Sequence, residues 1–321
     1  EGPAVRARPE RSCPSRSGRA AASDQLTGQL AVGTGPLVRR VVGGDRLALE
    51  GGVRELHRAA DDRVEDGLAE VLDDVRRQLA LCEDSRDALE ITPMLLLGPP
   101  GVGKTHFARE VAQLLGTGMG FVSMSSLTAG WVLSGASSQW KGARPGKVFE
   151  TLVDGQYANP VMVVDEIDKA RGEHAYDPLG ALYGLLEHDT AGCFVDEFAE
   201  VSIDASQVIW VATANDERAI PEPILNRMNV FEVQAPDRDA ARAIALRLYR
   251  GIRAEHDWGR RFDDQPPEAV LDRLGGMAPR EMRRAWMTAF GNARLAGRDE
   301  IVAADLPRAG GGKRGAMGFL N

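Results

Sequence analysis

A glycine-rich octapeptide, GPPGVGKT at residues 98–105, constrains the fold of this chain more than any other feature. It follows a short apolar run (94–97) and precedes a helical pattern in which Phe107, Val111 and Leu114 share one face. Glycines in such a turn let backbone N–H groups converge on phosphate oxygens, and the following helix adds its positive N-terminal end. A strand, a glycine loop and a helix in this order predict a phosphate-binding loop in an α/β protein.

The polar side chains around this loop predict ATP chemistry. Lys104 is expected to reach the β and γ phosphates and to assist catalysis, and Thr105 to hold Mg²⁺. In VMVVDEID (161–168), four apolar residues bury a strand and Asp165 emerges at its carboxyl end, where it would also hold Mg²⁺. Glu166 would orient or deprotonate the attacking water. Adjacent acids are common in solvated loops, but after a phosphate-binding loop they indicate ATP hydrolysis. The expected nucleotide-binding residues of the loop are Gly98, Pro99, Pro100, Gly101, Val102, Gly103, Lys104 and Thr105.

Apolar runs that end in polar residues recur along the middle of the chain, at 120–126, 160–166, 206–216 and 229–233. Helical patterns alternate with them, which predicts a parallel β-sheet covered by helices on both faces. After Pro236 only helical patterns recur, which predicts a small all-helical lid. We therefore expect an Arg/Gly/Ser-rich flexible tail (1–50), a leading amphipathic helix or linker (51–90), an α/β nucleotide-binding domain (91–235), the helical lid domain (236–308) and a glycine-rich tail (309–321).

Charge and hydropathy exclude several other classes. The formal net charge of −8 leaves no overall basic surface, so nucleic acid is not an expected partner, although the first 50 residues, read as a solvated leader, are Arg-rich enough to touch nucleic acid or to act in targeting. No apolar run approaches the length of a membrane span and no secretory signal is present, so we expect a cytoplasmic protein without a membrane partner.

Neither a metal cluster nor a peptidase site is visible in the sequence. The histidines have no partners at ligand spacing, and three widely separated cysteines lack a CxxC pair, which argues against zinc. No G-x-S-x-G motif or Ser–Lys site appears, so peptide hydrolysis by this chain alone is not expected. The five histidines are His57, His106, His174, His188 and His256.

Several polar and aromatic residues remain open from spacing alone. Asn215 ends the run VIWVATAN and is either a turn residue or a group that holds the attacking water. Arg227, in PEPILNRMNV, and Arg280, in GGMAPREMRR, do not stand out from the other arginines. Trp140 lies in SSQWKGARPG (137–146), where the glycines and the proline predict a loop. A tryptophan in a loop either tucks into the core or a subunit contact, or is exposed for binding.

The motifs together resemble the AAA+ ATPase module, and specifically that of Lon-type ATP-dependent proteases, over residues 60 to 308. The resemblance is carried by GPPGVGKT, VDEIDKA with the following YDPLGALYGLLE, VATAND and IPEPILNRM, which stand in the family's order. It implies that Asn215 is the sensor-1 residue, Arg227 an arginine finger acting on ATP in a neighbouring subunit, and Arg280 the sensor-2 arginine of the lid. Because such a finger acts only in an assembly, the resemblance implies a ring homo-oligomer, most often a hexamer.

The resemblance also assigns the tryptophan loop. QWKGARPG occupies the place of the family's aromatic pore loop, which lines the central channel of the ring and grips an extended polypeptide. Trp140 would be the gripping aromatic, with Lys141 and Gly142 as its neighbours; a bulky ring on a mobile loop suits contact with any polypeptide sequence. The implied function is ATP-driven unfolding, remodelling or translocation of protein substrates.

Two departures from Lon proteases affect this expectation. Fewer than 100 residues precede the glycine loop, and no protease domain follows the lid. The expected protein is either a motor without a visible protease, with a separate protease or adaptor as a further partner, or a fragment of a longer chain. Two alternative functions are compatible with the same fold. One is a nucleic-acid motor or clamp-loader-type ATPase, and the other is a scaffold that binds ATP but barely hydrolyses it.

Overall fold

The computed structural model describes residues 69–82, 89–126, 131–170 and 177–307. The expected tails at 1–50 and 309–321 lie outside these ranges. The strands are β1 Met94–Leu97, β2 Met119–Ser123, β3 Val161–Asp165, β4 Phe194–Val195, β5 Ser202–Ile203, β6 Ile209–Ala214 and β7 Asn229–Glu232. The helices are α1 Ala69–Cys82, α2 Lys104–Leu114, α3 Trp131–Ser134, α4 Lys147–Val153, α5 Leu182–Leu185, α6 His188–Ala191, α7 Glu222–Leu225, α8 Arg238–Glu255, α9 Glu268–Leu274 and α10 Pro279–Leu295.

Five of these strands form one parallel sheet in the order β2-β3-β6-β1-β7. The strand that leads into the glycine loop, β1, is therefore flanked by β6 and β7, with Met94 opposite Val211 on one side and Asn229 on the other. All five carboxyl ends meet at one edge, which is where open α/β sheets bind ligands. The predicted α/β fold class is confirmed.

Alternate residues of each central strand enter two separate cores, as the two-residue period of a strand requires. Met94 and Leu96 pack with α1 and α2 on one face of the sheet, whereas Leu95 packs on the other face with residues of α4 and α5. Because both faces are covered, these strands are continuously apolar in sequence.

The helices α8, α9 and α10 share a third core that follows the sheet in sequence. In it, Trp286 Nε1 donates a hydrogen bond of 2.9 Å to the Ala245 carbonyl, and the rings of Tyr249 and Phe290 stack with centroids 5.3 Å apart. The Tyr249 hydroxyl donates to the Asp263 carbonyl at 2.7 Å, and burial raises the pKa of Tyr249 to about 12. The helical part expected after the sheet is thus present.

Strands β4 and β5 form an antiparallel pair that the sequence pattern did not predict. Each has only two residues, which is too short for an alternating pattern to be visible. The pair lies in sequence between β3 and β6 and follows α5 and α6. No helix among the described ranges is long and apolar enough to cross a membrane.

Candidate functional site

The glycine loop begins between the ends of β6 and β7, where there is no space for a side chain. The Gly98 N–H donates to the Ala214 carbonyl at 3.2 Å, and a Cβ on Gly98 would lie 2.1 Å from the Val233 carbonyl oxygen. Further along, Gly101 and Gly103 have φ of +87° and +107°, in the left-handed region that glycine adopts without strain. The loop therefore needs glycine at these three positions for steric and conformational reasons.

Lys104 is the first residue of α2, and its side chain turns back into the loop. Lys104 is only 6% exposed, and its Nζ donates to the carbonyls of Gly98 at 2.7 Å and Pro99 at 2.8 Å. The third bond, 3.0 Å long, goes to Oδ1 of Asn215, which follows β6. The structure thus brings together Lys104 and Asn215, which are more than 100 positions apart in the sequence. The bonds to Gly98 and Pro99 hold the ammonium group against the glycine loop.

Thr105 and Asp165 are in direct contact. Thr105 Oγ1 donates to Asp165 Oδ1 at 2.6 Å, and Thr213 Oγ1 donates to the same oxygen at 2.8 Å. The Thr213 hydroxyl in turn accepts a hydrogen bond of 3.0 Å from the N–H of Glu166. Thr213 is buried and was not identified from the sequence, because threonine is an ordinary strand residue and nothing local marks it.

Glu166 has φ of 55° and ψ of 50°, an uncommon left-handed conformation for a residue with a side chain. It follows β3 directly, so the backbone turns sharply at the edge of the sheet. Strained conformations of this kind persist where neighbours fix them, and they concentrate at functional sites. The Thr213 bond to its N–H is one such restraint.

The charges around Lys104 act in opposite directions. Burial lowers the pKa of Lys104, and the carboxylates of Asp168, Asp165 and Glu166, in decreasing order of effect, oppose that lowering. The side chain of Asp168 has no exposed surface, and its Oδ2 lies 2.9 Å from Lys169 Nζ. A hydrogen bond to Asp168 raises the pKa of Lys169. Asp168, the third acid of the DEID motif, therefore belongs to the electrostatics of this site, a role that the sequence did not predict.

The two arginines are placed differently. Arg280, the second residue of α10, lies beside the loop: a Cβ on Gly101 would be 3.7 Å from Arg280 Cβ. Arg227 instead bonds to other residues of the same chain, with Nη2 lying 2.7 Å from Glu187 Oε1 and Nη1 donating to the Pro223 carbonyl. Its side chain is 26% exposed. Glu187 carried no signal of this contact in the sequence.

Trp140 lies on the surface in a loop, as predicted, and is 48% exposed. The alternative that it tucks into the core is wrong. Its ring meets that of Trp131 edge to face, with centroids 5.2 Å apart and planes at 85°. Lys141 is exposed and Gly142 has φ of +86°, so the loop turns directly after the ring. Trp131 was not singled out from the sequence, because it stands nine positions earlier.

A buried carboxylate joins the tryptophan loop to the turn between β4 and β5. Asp196 has no exposed surface; its Oδ2 accepts from the Gly146 N–H at 2.7 Å, and its Oδ1 accepts from the N–H groups of Phe198 and Ala199 at 3.0 and 2.9 Å. A Cβ on Gly135 would lie 2.6 Å from Asp196 Oδ1, so glycine is required there. Asp196 therefore holds the C-terminal end of the tryptophan loop by a hydrogen bond and lies close to Gly135, just before the loop begins.

The donors next to the glycine loop fit Mg²⁺. Thr105 and Asp165 present adjacent oxygens, the ligand type that Mg²⁺ prefers, and Mg²⁺ sites commonly combine one or two carboxylates with phosphate oxygens. Among the described residues, no group of three or more His, Cys, Asp or Glu side chains is arranged to hold a metal by itself.

His106 and His188 lie near Glu110 and Glu90, at 3.2 and 3.6 Å, while His57 and His174 fall outside the described ranges.

Comparison with known proteins agrees with this geometry. Residues 94–235 match the family described as "ATPase family associated with various cellular activities (AAA)". The match covers all five strands of the parallel sheet, the glycine loop, the acidic motif, Asn215 and Arg227. Among solved structures, a cryo-EM reconstruction of Hsp104 in a closed state with ATPγS and FITC-casein aligns with 85% of this chain and 52% of that chain, at a TM-score of 0.61 and 16% identity. At that identity the likeness shows the fold alone.

Similar curated proteins include Lon proteases. A mitochondrial Lon protease homolog of Schizosaccharomyces pombe is 37% identical over 172 residues, which are 54% of this chain and 16% of that protein. A Lon protease of Clostridium beijerinckii is 33% identical over 169 residues, which are 53% of this chain and 21% of that protein. The match thus spans about a sixth to a fifth of the length of these relatives. Residues 94–235 are therefore similar to the AAA family and to the corresponding part of Lon proteases, and the resemblance predicted from the motifs is confirmed.

Proposed function

We propose that this chain hydrolyses ATP with Mg²⁺ and uses the energy to unfold, remodel or translocate protein substrates through a ring. The observation that carries the proposal is the Thr105–Asp165 contact beside the buried Lys104, at the carboxyl edge of a parallel sheet in an AAA-family segment. These are the groups that phosphoryl transfer requires, namely a phosphate cradle, a cation and oxygen ligands for a metal.

In this proposal the loop amides hold the phosphates and Lys104 neutralises the β and γ oxygens. Nζ now bonds to two carbonyls and to Asn215, so it exchanges these acceptors for phosphate oxygens when ATP binds. Thr105 and Asp165 would hold Mg²⁺, which supplies charge neutralisation at the phosphates. The role of this chain's own residues is then to bind and orient the triphosphate.

Glu166 is proposed to take the proton of the attacking water, and Asn215 to orient that water. The left-handed backbone of Glu166 and its bond to Thr213 support this role, because they hold the carboxylate directly after the Mg²⁺ ligand Asp165. The amide of Asn215 is already tied to Lys104, which couples the water-orienting group to the phosphate-binding group.

Two arginines are proposed to link the site to the lid and to a neighbouring subunit. The Cβ of Arg280 lies beside Gly101, and Arg280 is exposed. Its guanidinium is therefore proposed to reach the γ phosphate. Arg227 is proposed to act on ATP in the adjacent subunit of a homo-oligomeric ring, most often a hexamer in this family. A finger that acts across subunits requires assembly, so the ATPase rate per subunit should rise with protein concentration until the ring is formed.

The substrate is proposed to be an extended polypeptide that contacts Trp140, Lys141 and Gly142 in the central channel. The exposure of Trp140 and its loop setting support this role. Lon proteases and Hsp104, the latter reconstructed with FITC-casein, suggest the same substrate class by analogy. A separate protease or an adaptor would complete the system if this chain acts without its own protease.

The steady-state ATPase rate of the purified chain tests the proposal directly. It should be measured over a range of protein concentrations, alone, with an unfolded model protein and with single- or double-stranded DNA, alongside the mass with and without ATP. We expect ATP-dependent assembly and stimulation by the polypeptide. Stimulation by DNA that declines steeply with salt would favour a nucleic-acid motor instead.

Glu166→Gln separates binding from hydrolysis. Because binding rests on Lys104 and the loop amides, we expect the variant to bind ATP and assemble while its turnover falls by about two orders of magnitude or more. Lys104→Ala is the matched contrast, since it should lose ATP binding as well. Turnover that survives Glu166→Gln would remove this residue from the proposed role.

A further inference from the structure

The guanidinium of Arg227 is held by a side chain that none of the sequence motifs assigns to catalysis. Glu187 Oε1 lies 2.7 Å from Arg227 Nη2, and the carbonyl of Pro223 accepts from Nη1. The Nε of Arg227 is buried and has no hydrogen-bond partner among the described residues. The guanidinium is therefore anchored at its two terminal nitrogens, which fixes the orientation of its plane.

The backbone of Glu187 is fixed by its position in the fold. It is the residue before α6, and its carbonyl accepts hydrogen bonds from the Ala191 N–H at 2.9 Å and from Thr190 Oγ1 at 3.2 Å. Pro223 lies in the short helix α7, which packs against α5. Two acceptors thus hold Arg227. The Pro223 carbonyl belongs to α7, and the Glu187 carboxylate belongs to the segment that joins α5 to α6.

We propose that Glu187 is a positioning residue for Arg227, which orients the guanidinium before it meets the phosphate of a neighbouring subunit. This inference rests on the proposed function, because it assumes that Arg227 acts on bound ATP. An arginine side chain has several rotatable bonds, and ordering it in advance removes an entropic cost from the reaction. The bonds to Glu187 and Pro223 use one N–H of each terminal nitrogen, and each nitrogen has a second N–H for a phosphate oxygen.

The test is a set of steady-state ATPase measurements on the assembled chain. Glu187→Ala should lower kcat about tenfold or more, since a misplacement of about 1 Å can cost about a hundredfold, while KM for ATP changes less than about twofold. Glu187→Gln keeps an acceptor oxygen without the charge and should retain at least about half of the wild-type kcat. Glu222→Ala, which removes an exposed glutamate of α7, is the control and should leave kcat unchanged.

A double-mutant cycle distinguishes positioning from general damage to the fold. If Glu187 acts through Arg227, the Glu187→Ala, Arg227→Ala pair should have the same kcat as Arg227→Ala alone. Should Glu187→Ala lower Tm, Glu187→Met, which keeps the aliphatic stem, replaces it in the cycle. Losses that add in the double variant would overturn the inference.

The remaining outcomes separate this inference from the proposed function. If Arg227→Ala abolishes turnover while Glu187→Ala leaves kcat unchanged or raises it, positioning by Glu187 is wrong and the proposed function stands. If Arg227→Ala leaves turnover of the assembled ring unchanged, Arg227 is not a finger, and both the cross-subunit mechanism and the inference fall.

Discussion

At the scale of single residues, one hydroxyl connects the two strands that carry the acidic motif and Asn215. Thr213 lies in β6, donates to Asp165 Oδ1 at 2.8 Å and accepts from the Glu166 N–H at 3.0 Å. It therefore fixes both the carboxylate proposed to hold Mg²⁺ and the backbone of the residue proposed to activate water. A residue that orients such groups affects catalysis without touching the substrate.

We predict that Thr213→Val lowers kcat for ATP about tenfold or more, because outer-shell partners of metal ligands have effects of this order. Valine has nearly the same shape, so the fold should persist while both hydrogen bonds are lost. The measurement is kcat together with the Mg²⁺ concentration that gives half-maximal rate, which should rise. Thr151→Val is the control, since its hydroxyl bonds only to the Lys147 carbonyl within α4; equal losses in both variants would argue against the role of Thr213.

At the scale of elements, Asp196 holds the tryptophan loop against the turn that joins β4 to β5. Its carboxylate is buried and accepts three backbone N–H groups, one from Gly146 and two from the turn. The sequence offered no indication of this contact, because Gly146 and Asp196 stand 50 positions apart. Asp196 therefore joins the tryptophan loop to the turn by three hydrogen bonds from one carboxylate.

We predict that Asp196→Asn lowers the free energy of unfolding by about 2–3 kcal/mol, because the amide cannot accept all three bonds and directs a donor at backbone N–H groups. Urea denaturation of the two proteins measures this difference. The control is Asp204→Asn: Asp204 is exposed and bonds only locally, to Ser206, so its change should stay within about 0.5 kcal/mol. Equal effects would show that burial of Asp196 is not important.

Because Tyr249 is buried in the helical segment, we predict that the protein loses stability at alkaline pH as this tyrosine ionises. Because burial raises its folded pKa to about 12, above the ordinary tyrosine value of 10.0, the folded state keeps a proton that the unfolded state releases. This contribution is fully present below pH 10 and is lost as the pH rises to about 12, with a maximum of about 2–3 kcal/mol. The free energy of unfolding of wild type should therefore decline more steeply over that interval than that of Tyr249→Phe. Parallel curves for the two proteins would contradict the prediction.

At the scale of the whole molecule, the proposed coupling of ATP use to a polypeptide depends on the exposed ring of Trp140. We predict that Trp140→Ala abolishes stimulation by an unfolded protein, retains basal ATPase activity and changes stability by no more than about 1 kcal/mol, since the ring is about half exposed. Trp210→Ala is the contrast: that side chain is buried in β6 and its truncation should cost about 3–5 kcal/mol. Loss of basal activity together with stability in Trp140→Ala would identify it as a structural residue.

The fold class and the candidate nucleotide-binding groups were predictable from the sequence for a local reason. Apolar runs, helical periodicity and the spacing of glycines encode backbone conformation over a few residues, and GPPGVGKT joins a strand to a helix within such a span. Parallel strands place their carboxyl ends at one edge, so the acidic motif was expected near the loop. The observed bond between Thr105 and Asp165 agrees with that expectation.

Only the tertiary structure decided the contacts between distant segments. The hydroxyl of Thr213, the Glu187–Arg227 ion pair, the burial of Asp196 and the edge-to-face contact of Trp131 depend on how elements pack. None of these has a local pattern, because a threonine, a glutamate or an aspartate has the same sequence signature on a solvated surface as in a buried contact. The sequence by itself determined the strands of the parallel sheet, the helices around them and the loop proposed to bind phosphate; the packing of those units determined which side chains hold the proposed binding groups in place.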